Sequence, residues 1–181
     1  MALKPWEQIS EESLIQYKVF HVRKARRRSP RTGKDIGLFI LDTIDWVNVV
    51  AFTKQQELIL VRQYRHGIED FTLEIPGGVL HGDEDPEEAA CRELREESGY
   101  EPGEVTRIGR AAPNPAFQTN QITTYLASDC ELAGDLIQDQ GEDLEVVLVP
   151  RAEVEARVRA GEIDHALVLA GLYFHKLESE N

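Results

Sequence analysis

Gly77-Gly78-Val79-Leu80-His81-Gly82-Asp83-Glu84-Asp85-Pro86-Glu87-Glu88-Ala89-Ala90-Cys91-Arg92-Glu93-Leu94-Arg95-Glu96-Glu97-Ser98-Gly99-Tyr100 is the stretch on which the reading of this chain turns. Asp85 suits an N-cap, Pro86 the first helical position and Gly99 the left-handed residue after the last turn. Glu88, three residues after Asp85, completes a capping box, so a helix is predicted over Asp85 to Ser98. On that helix Glu93, Glu96 and Glu97 lie on adjoining parts of one face. From Gly82 to Glu97 there are eight acids against Arg92 and Arg95, a local net of -6. A solvated acidic face trimmed by pairs such as Glu88 with Arg92 is the ordinary meaning of such a helix. Two features weigh against it. Glu93 and Glu97 repel at their i,i+4 spacing by a few tenths of a kcal/mol, and Glu96 and Glu97 sit at the negative end of the helix dipole. A hard divalent cation reverses both penalties, and an oxygen-only set of carboxylates suits Mg²⁺, with Mn²⁺ as a substitute. An EF-hand is excluded, because Glu88 stands where its loop needs Gly and Leu94 where its bidentate Glu belongs; no GxxxxGK[ST] phosphate loop occurs either.

Outward from this segment, 181 residues with 41% hydrophobic content supply one ordinary domain, or one domain with an arm. The net charge of -13 disfavours general binding to nucleic acid or an anionic membrane, so any anion site is local. The N-terminus has no signal-like apolar region, and no apolar run approaches the ~20 residues of a membrane span. Cys91 and Cys130 make neither a disulfide framework nor a CxxC pair, which fits a reducing cytoplasm. Between Lys18 and Lys34 lie eight basic residues and no acid. There Ser29-Pro30-Arg31-Thr32-Gly33 separates two strand-like runs, Tyr17 to Arg28 and Lys34 to Thr43, and predicts a hairpin arm. Further strands are predicted over Trp46 to Phe52, Leu58 to Tyr64, Phe71 to Ile75, Val105 to Ala111, Ile122 to Ala127 and Leu144 to Val149, with helices over Arg151 to Ala160 and Asp164 to Leu177. Strands, one helix, more strands and then helices describe a mixed sheet covered by helices, not a regular βαβ series.

Gly78, five residues, Glu84, seven residues, then Arg92-Glu93-Leu94-x-Glu96-Glu97-x-Gly99 resembles the Nudix box, the signature of hydrolases that cleave nucleoside diphosphates linked to another moiety. Tyr100 departs from it, standing where an aliphatic residue is usual. The resemblance implies an α/β fold, the Nudix α/β/α sandwich with a mixed sheet, here over residues 45–181 with an N-terminal β arm over 1–44. It implies metal ligation by Glu93 and Glu97, by Glu96 as a further ligand or a neighbour, and by the Gly77 carbonyl. Arg92 would orient the carboxylates, Glu84 support the loop, and Gly78 and Gly99 shape its two ends.

Leu60-Val61-Arg62-Gln63-Tyr64-Arg65 and Leu73-Glu74-Ile75-Pro76-Gly77-Gly78 look like the branch acting on ADP-ribose and other nucleoside diphosphate sugars. Pro115, fifteen residues after Tyr100, is a further mark of that branch, with Pro113 its rival. Arg65 is the first choice for a pyrophosphate contact and Arg62 the alternative; Glu74 joins them as a substrate-side residue. Trp46 is read either as a base-stacking residue or as core. The loop Pro113 to Asn120 borders the substrate or is a plain connector. Because the helix acids are committed to metal, the base that deprotonates water is sought elsewhere: Glu142, with Asp139 and Asp143 as rivals. The arm is expected to cross to a partner in a homodimer. The reading that results is a Mg²⁺-dependent pyrophosphatase releasing a nucleoside monophosphate and a sugar phosphate from ADP-ribose, GDP-mannose or a similar nucleotide sugar. Its alternatives are a nucleoside triphosphate or dinucleoside polyphosphate hydrolase, a noncatalytic nucleotide-sugar sensor, and an interaction protein.

Overall fold

A computed structural model describes residues 2–137 and 143–180, and its contacts divide into two units: Met1–Asp45 with Ala112–Gln121, and Trp46–Ala111 with Ile122–Asn181. The first unit is an antiparallel meander of β1 (Glu7–Gln16), β2 (Phe20–Arg28) and β3 (Asp35–Thr43). The hairpin predicted from the sequence is β2 with β3; β1 is an addition to it. Almost every β1 residue is exposed, so it lacks the apolar alternation by which a strand is read. Charge attaches it instead. Glu11 accepts from Arg23 at 2.5 Å and from Arg27 at 2.7 Å, and Glu7 lies 3.5 Å from Arg28. From the other side Asp42 binds Arg23 in bidentate fashion at 2.7 and 3.1 Å, and Asp35 receives Arg28 at 2.8 Å. The hydrogen bond from Arg23 holds the Asp42 carboxyl below its usual range, against the opposing effect of burial. Acids on both flanking strands thus answer the basic run of β2. The loop containing Pro113 and Pro115 also belongs to this unit: Leu41 N–H donates to the Phe117 carbonyl and Thr119 N–H to the Leu41 carbonyl.

The second unit contains β4 (Trp46–Thr53), β5 (Glu57–Arg65), β6 (Asp70–Glu74), β7 (Gly77–Val79), α1 (Pro86–Ser98), β8 (Tyr100–Glu101), β9 (Glu104–Ala111), β10 (Ile122–Leu132), β11 (Leu144–Pro150), α2 (Val154–Ala160) and α3 (Ala166–Ser179). The sequence reading omitted β7 and β8, which are too short to carry a period, and ended β10 at Ala127. The sheet runs β11-β5-β4-β10-β8, with β6 on β5, β7 on β4 and β9 on β10; β4 and β10 are parallel and the remaining pairs antiparallel.

Alternation along β4 and β5 explains the layers, since successive side chains face opposite ways. Val47, Val49, Ala51 and Ile59 pack with Ala89, Ala90 and Leu94 of α1. Val50, Phe52, Leu58 and Leu60 pack with Ile163 and with Val168 of α3, and Val154 and Val158 of α2 border the same cluster. The result is the helix–sheet–helix sandwich of an α/β fold. Burying one such aliphatic side chain contributes roughly 1.5–3 kcal/mol, so both faces need a helical cover. No helix among the described residues is long and apolar enough to cross a membrane.

Strands β4 and β5 register at Phe52 and Leu58, beside their turn, and then take different partners. β7 lies on β4 through Trp46–Val79, Val47–Gly78 and Asn48–Gly77, while β6 lies on β5 from Val61–Glu74 to Arg65–Asp70. Ile75 and Pro76 connect β6 to β7 across the divergence, where Val49 N–H donates to the Pro76 carbonyl at 2.9 Å.

Helix α3 approaches the sheet through Gly171, where an added Cβ would stand 2.9 Å from Ile75 Cδ1 and 3.4 Å from methyl carbons of Thr124 and Val50. Gly171→Leu is therefore expected to lower stability by about 1–3 kcal/mol through overpacking, read as a lower urea midpoint with the same slope.

Candidate active site

Helix α1 is set by its ends. Asp85, extended at φ -65 and ψ 133, caps it by accepting from Glu87 N–H at 2.8 Å; the bond goes one residue earlier than a capping box through Glu88 requires. Gly99 closes it at φ 75, its N–H donating to the Arg95 carbonyl. A Cβ on Gly99 would overlap the Gly134 carbonyl oxygen, so both the left-handed backbone and the close approach require glycine.

Between these ends, Arg92 gathers the acids. Its Nε and Nη2 donate to the two oxygens of Glu84 at 2.8 and 3.0 Å, and its Nη1 donates to Glu93 at 2.7 Å and to Glu96 at 3.0 Å. Nη2 also reaches the Val79 carbonyl at 3.2 Å, and Glu84 accepts from His81 N–H. One guanidinium thus joins the helix, the end of β7 and the loop between them. The hydrogen bond from Arg92 holds Glu84 below the usual carboxylate range, and Arg92 is raised well above its own ordinary value by the same acids, Glu84 foremost.

Glu93 and Glu97 are buried, at 8% and 6% exposure, whereas Glu96 is more open. Glu97 accepts from Gly77 N–H at 2.8 Å. A Cβ on Gly78 would collide with the Glu93 carboxylate, and one on Gly77 with the Val47 carbonyl. The two glycines therefore let α1 bring its acids onto the backbone of β7. Among the described residues no three His, Cys, Asp or Glu side chains converge by themselves at ligand spacing, and Arg92 stands between Glu93 and Glu96.

The same glycines line a cavity of about 370 Å³, which opens where β4 and β5 diverge. Trp46, Val79 and Ile122 give it an apolar wall; Asn48, Arg65, Glu74 and His165 supply its polar groups. Arg65 donates twice to Glu74, at 2.6 and 2.8 Å, and Thr72 donates to the same carboxylate at 2.5 Å. Burial pushes Glu74 up, but the hydrogen bonds from Arg65 and Thr72 prevail and leave it below its ordinary value.

Arg65, Glu74 and Trp46 are thus brought to one cavity, while Arg62 is placed with its guanidinium 5.0 Å over the Phe71 ring. Trp46 is half-buried, a wall residue and not a fully enclosed one. Glu142 and Asp139 lie outside the described residues; Asp143 is exposed just before β11. Two cavity residues escaped the sequence reading, Asn48 and His165. Asn48 left a signal, a lone amide in an apolar run that proves to be 5% exposed, whereas His165 precedes α3 with nothing to distinguish it from a surface residue.

A family model described as the NUDIX domain matches residues 44–170. The methanol dehydrogenase activator of Bacillus methanolicus is 39% identical over 101 residues, which are 54% of this chain and 55% of that protein, so the chain spans about half the length of that relative. The ADP-ribose pyrophosphatase of Bacillus subtilis (strain 168) is 30% identical over 73% of this chain and 72% of its own length. A crystal structure described as that of an ADP compounds hydrolase shares the fold with a TM-score of 0.88 over 99% of this chain and 97% of its own, at 21% identity.

The Glu74 ion pair makes a pH test. A carboxyl whose folded pKa lies below its unfolded value of about 4.3 stabilises the fold fully above that value and loses the contribution as pH falls through the folded pKa. Wild-type stability should therefore decline as pH drops below about 4. Glu74→Gln should be less stable at neutral pH and show a flatter decline in denaturant titrations across the same range.

Proposed function

The chain belongs to the Nudix domain family, and from that premise we propose that it hydrolyses the pyrophosphate bond of nucleoside diphosphate sugars, with ADP-ribose as the leading substrate and hexose nucleotides such as GDP-mannose as alternatives. The observation that carries this reading is the burial of Glu93 and Glu97 on the α1 face pressed against Gly77 and Gly78, with the nucleotide-sized cavity lined by those same glycines.

The donor chemistry fits a divalent cation. Glu93, Glu97, Glu96 and the Gly77 carbonyl offer oxygen only, and among Glu84, Glu93 and Glu96 the shared positive partner is Arg92. Mg²⁺, with Mn²⁺ as substitute, would supply charge neutralisation at the diphosphate and acidify a water. Arg92 keeps the carboxylates aligned, and Glu84 fixes Arg92 while anchoring the loop through His81 N–H. The Gly77 N–H orients one oxygen of Glu97. Arg65, already oriented by Glu74, presents its guanidinium edge to the pyrophosphate; Trp46 covers the base or sugar. Glu142 receives the proton of the attacking water, with Asp139 and Asp143 as its rivals. Ile137 N–H donates to the Glu96 carbonyl at 2.9 Å, beside the acidic end of α1.

The arm of residues 1–44 fits an intersubunit role in a homodimer. Trp6, Tyr17, Val19 and Phe39 are exposed on it, and Arg23, Arg26, Arg27 and Arg28 are answered by its own acids, which favours an apolar partner surface over a nucleic acid. Two free thiols and no membrane-crossing helix among the described residues accord with a cytoplasmic enzyme.

Phosphate-coupled turnover of ADP-ribose, GDP-mannose, UDP-glucose, a dinucleoside polyphosphate and a nucleoside triphosphate tests the assignment. Cleavage of a sugar nucleotide with Mg²⁺, abolished by chelator, is expected, and Glu97→Gln should reduce it by at least about 100-fold with little change in Tm. Binding without turnover of any of them would sink the enzyme reading in favour of a sensor. Gly78→Ala should lower kcat by roughly 10- to 100-fold, because the new methyl displaces the Glu93 carboxylate while leaving the helix caps untouched.

A further inference from the structure

Resting on the assignment above and extending it to selectivity, we propose that Asn48 and His165 form the recognition wall of the cavity and receive a donor-bearing ring of the substrate, base or sugar, rather than its phosphates. The two residues come from adjacent layers of the sandwich, strand β4 of the sheet and the residue before α3, and both line the cavity together with Gly77 and Gly78. Asn48 Oδ1 and His165 Nδ1 are shielded from solvent, and neither has a hydrogen-bond partner in the protein.

Chemistry fixes which way each group faces. Asn48 Nδ2 donates to the Leu167 carbonyl at 3.3 Å; turning the amide over would set its oxygen against another oxygen, so Oδ1 must be the atom left over. His165 Nε2 stands 3.9 Å from the Glu74 carboxylate; with a neutral ring carrying its proton on that nitrogen, Nδ1 is a lone-pair acceptor. Two acceptors have nothing to offer a phosphate, which carries no donor when ionised; the cation of the same cavity is Arg65, paired with Glu74. The two acceptors suit hydroxyl or amino hydrogens. Trp46, Val79 and Ile122 add an apolar surface against which the face of a ring can lie, as a nucleobase or the C–H face of a sugar does. Gly77 and Gly78 take part both in this lining and in the contacts with Glu97 and Glu93, so a ring held here leaves its diphosphate next to the acidic helix.

The test varies one end of the substrate at a time. ADP-ribose and ADP-glucose change the sugar at constant base; ADP-glucose, GDP-glucose and UDP-glucose change the base at constant sugar. For wild type, His165→Ala and Asn48→Leu, kcat/KM is measured with Mg²⁺ and the dissociation constant by calorimetry in chelator, where no turnover occurs; thermal unfolding checks each variant. His165 is the more open of the two, so its variant keeps the test available even if Asn48→Leu does not fold. A change of about tenfold in the ratio of values within one series, with the other series unmoved, is expected for loss of one such hydrogen bond, and the series that moves says whether base or sugar is held. Values that fall equally for every compound, or do not change, overturn the proposal. A wild-type chain that binds the panel selectively through these residues but cleaves none of it overturns the hydrolase assignment and leaves the recognition wall standing. Absence of both turnover with Mg²⁺ and binding by wild type overturns both.

Discussion

The guanidinium of Arg92 is the point on which the candidate site depends. It is tied to Glu84 by a fork, to Glu93 and Glu96 by its remaining edge, and to the Val79 carbonyl. Without that shared cation, Glu93 and Glu96, three residues apart near the C-terminal end of a helix, would repel one another and the helix dipole together. With it, the acids face one way, and the loop that precedes the helix is fastened to the helix itself. Ion pairs this well shielded contribute more to orientation than to net stability, because removing charges from water costs much of what their attraction returns. The absence of side chains at Gly77 and Gly78 completes the arrangement by letting Glu97 and Glu93 reach the backbone of β7.

The strongest signals in the sequence were those whose physics is local. The N-cap Asp85, Pro86 and the left-handed Gly99 delimit α1, and all three behave as their chemistry dictates. Apolar runs in β4 and β5 announced strands, and in the fold their residues divide between two buried faces by simple alternation. Less was legible where the cause is long-range. β1 is held by ion pairs with β2, which no period in its own residues announces. β7 and β8 exist because neighbouring strands accept them, not because two or three residues prefer extension. Residue type along β5 offered Arg65 and Arg62 as first choice and alternative; the partner Glu74 on β6 draws Arg65 to the cavity.

The basic run of the N-terminal unit shows how charge counted along a chain differs from charge in space. Read in order, residues 18–34 hold eight basic residues and no acid. Folded, the strands on either side bring Glu7, Glu11, Asp35 and Asp42 within ion-pairing distance of Arg23, Arg26, Arg27 and Arg28. Each exposed pair is worth little by itself, at most about 1 kcal/mol. Together they set the register of a meander that has few buried apolar residues to set it.

The parting of β4 and β5 beyond Phe52 and Leu58 gives the cavity an origin in the backbone. Its room comes from two strands choosing different neighbours, and the cores that hold the layers together lie on the faces of the sheet, largely away from its walls. Apart from Val47 and Ile75, which serve both, selectivity and robustness are consequently drawn from different residues. A lineage of such chains is free to exchange the side chains around the opening, and so to change its preferred ligand, while the scaffold that makes the opening is left alone.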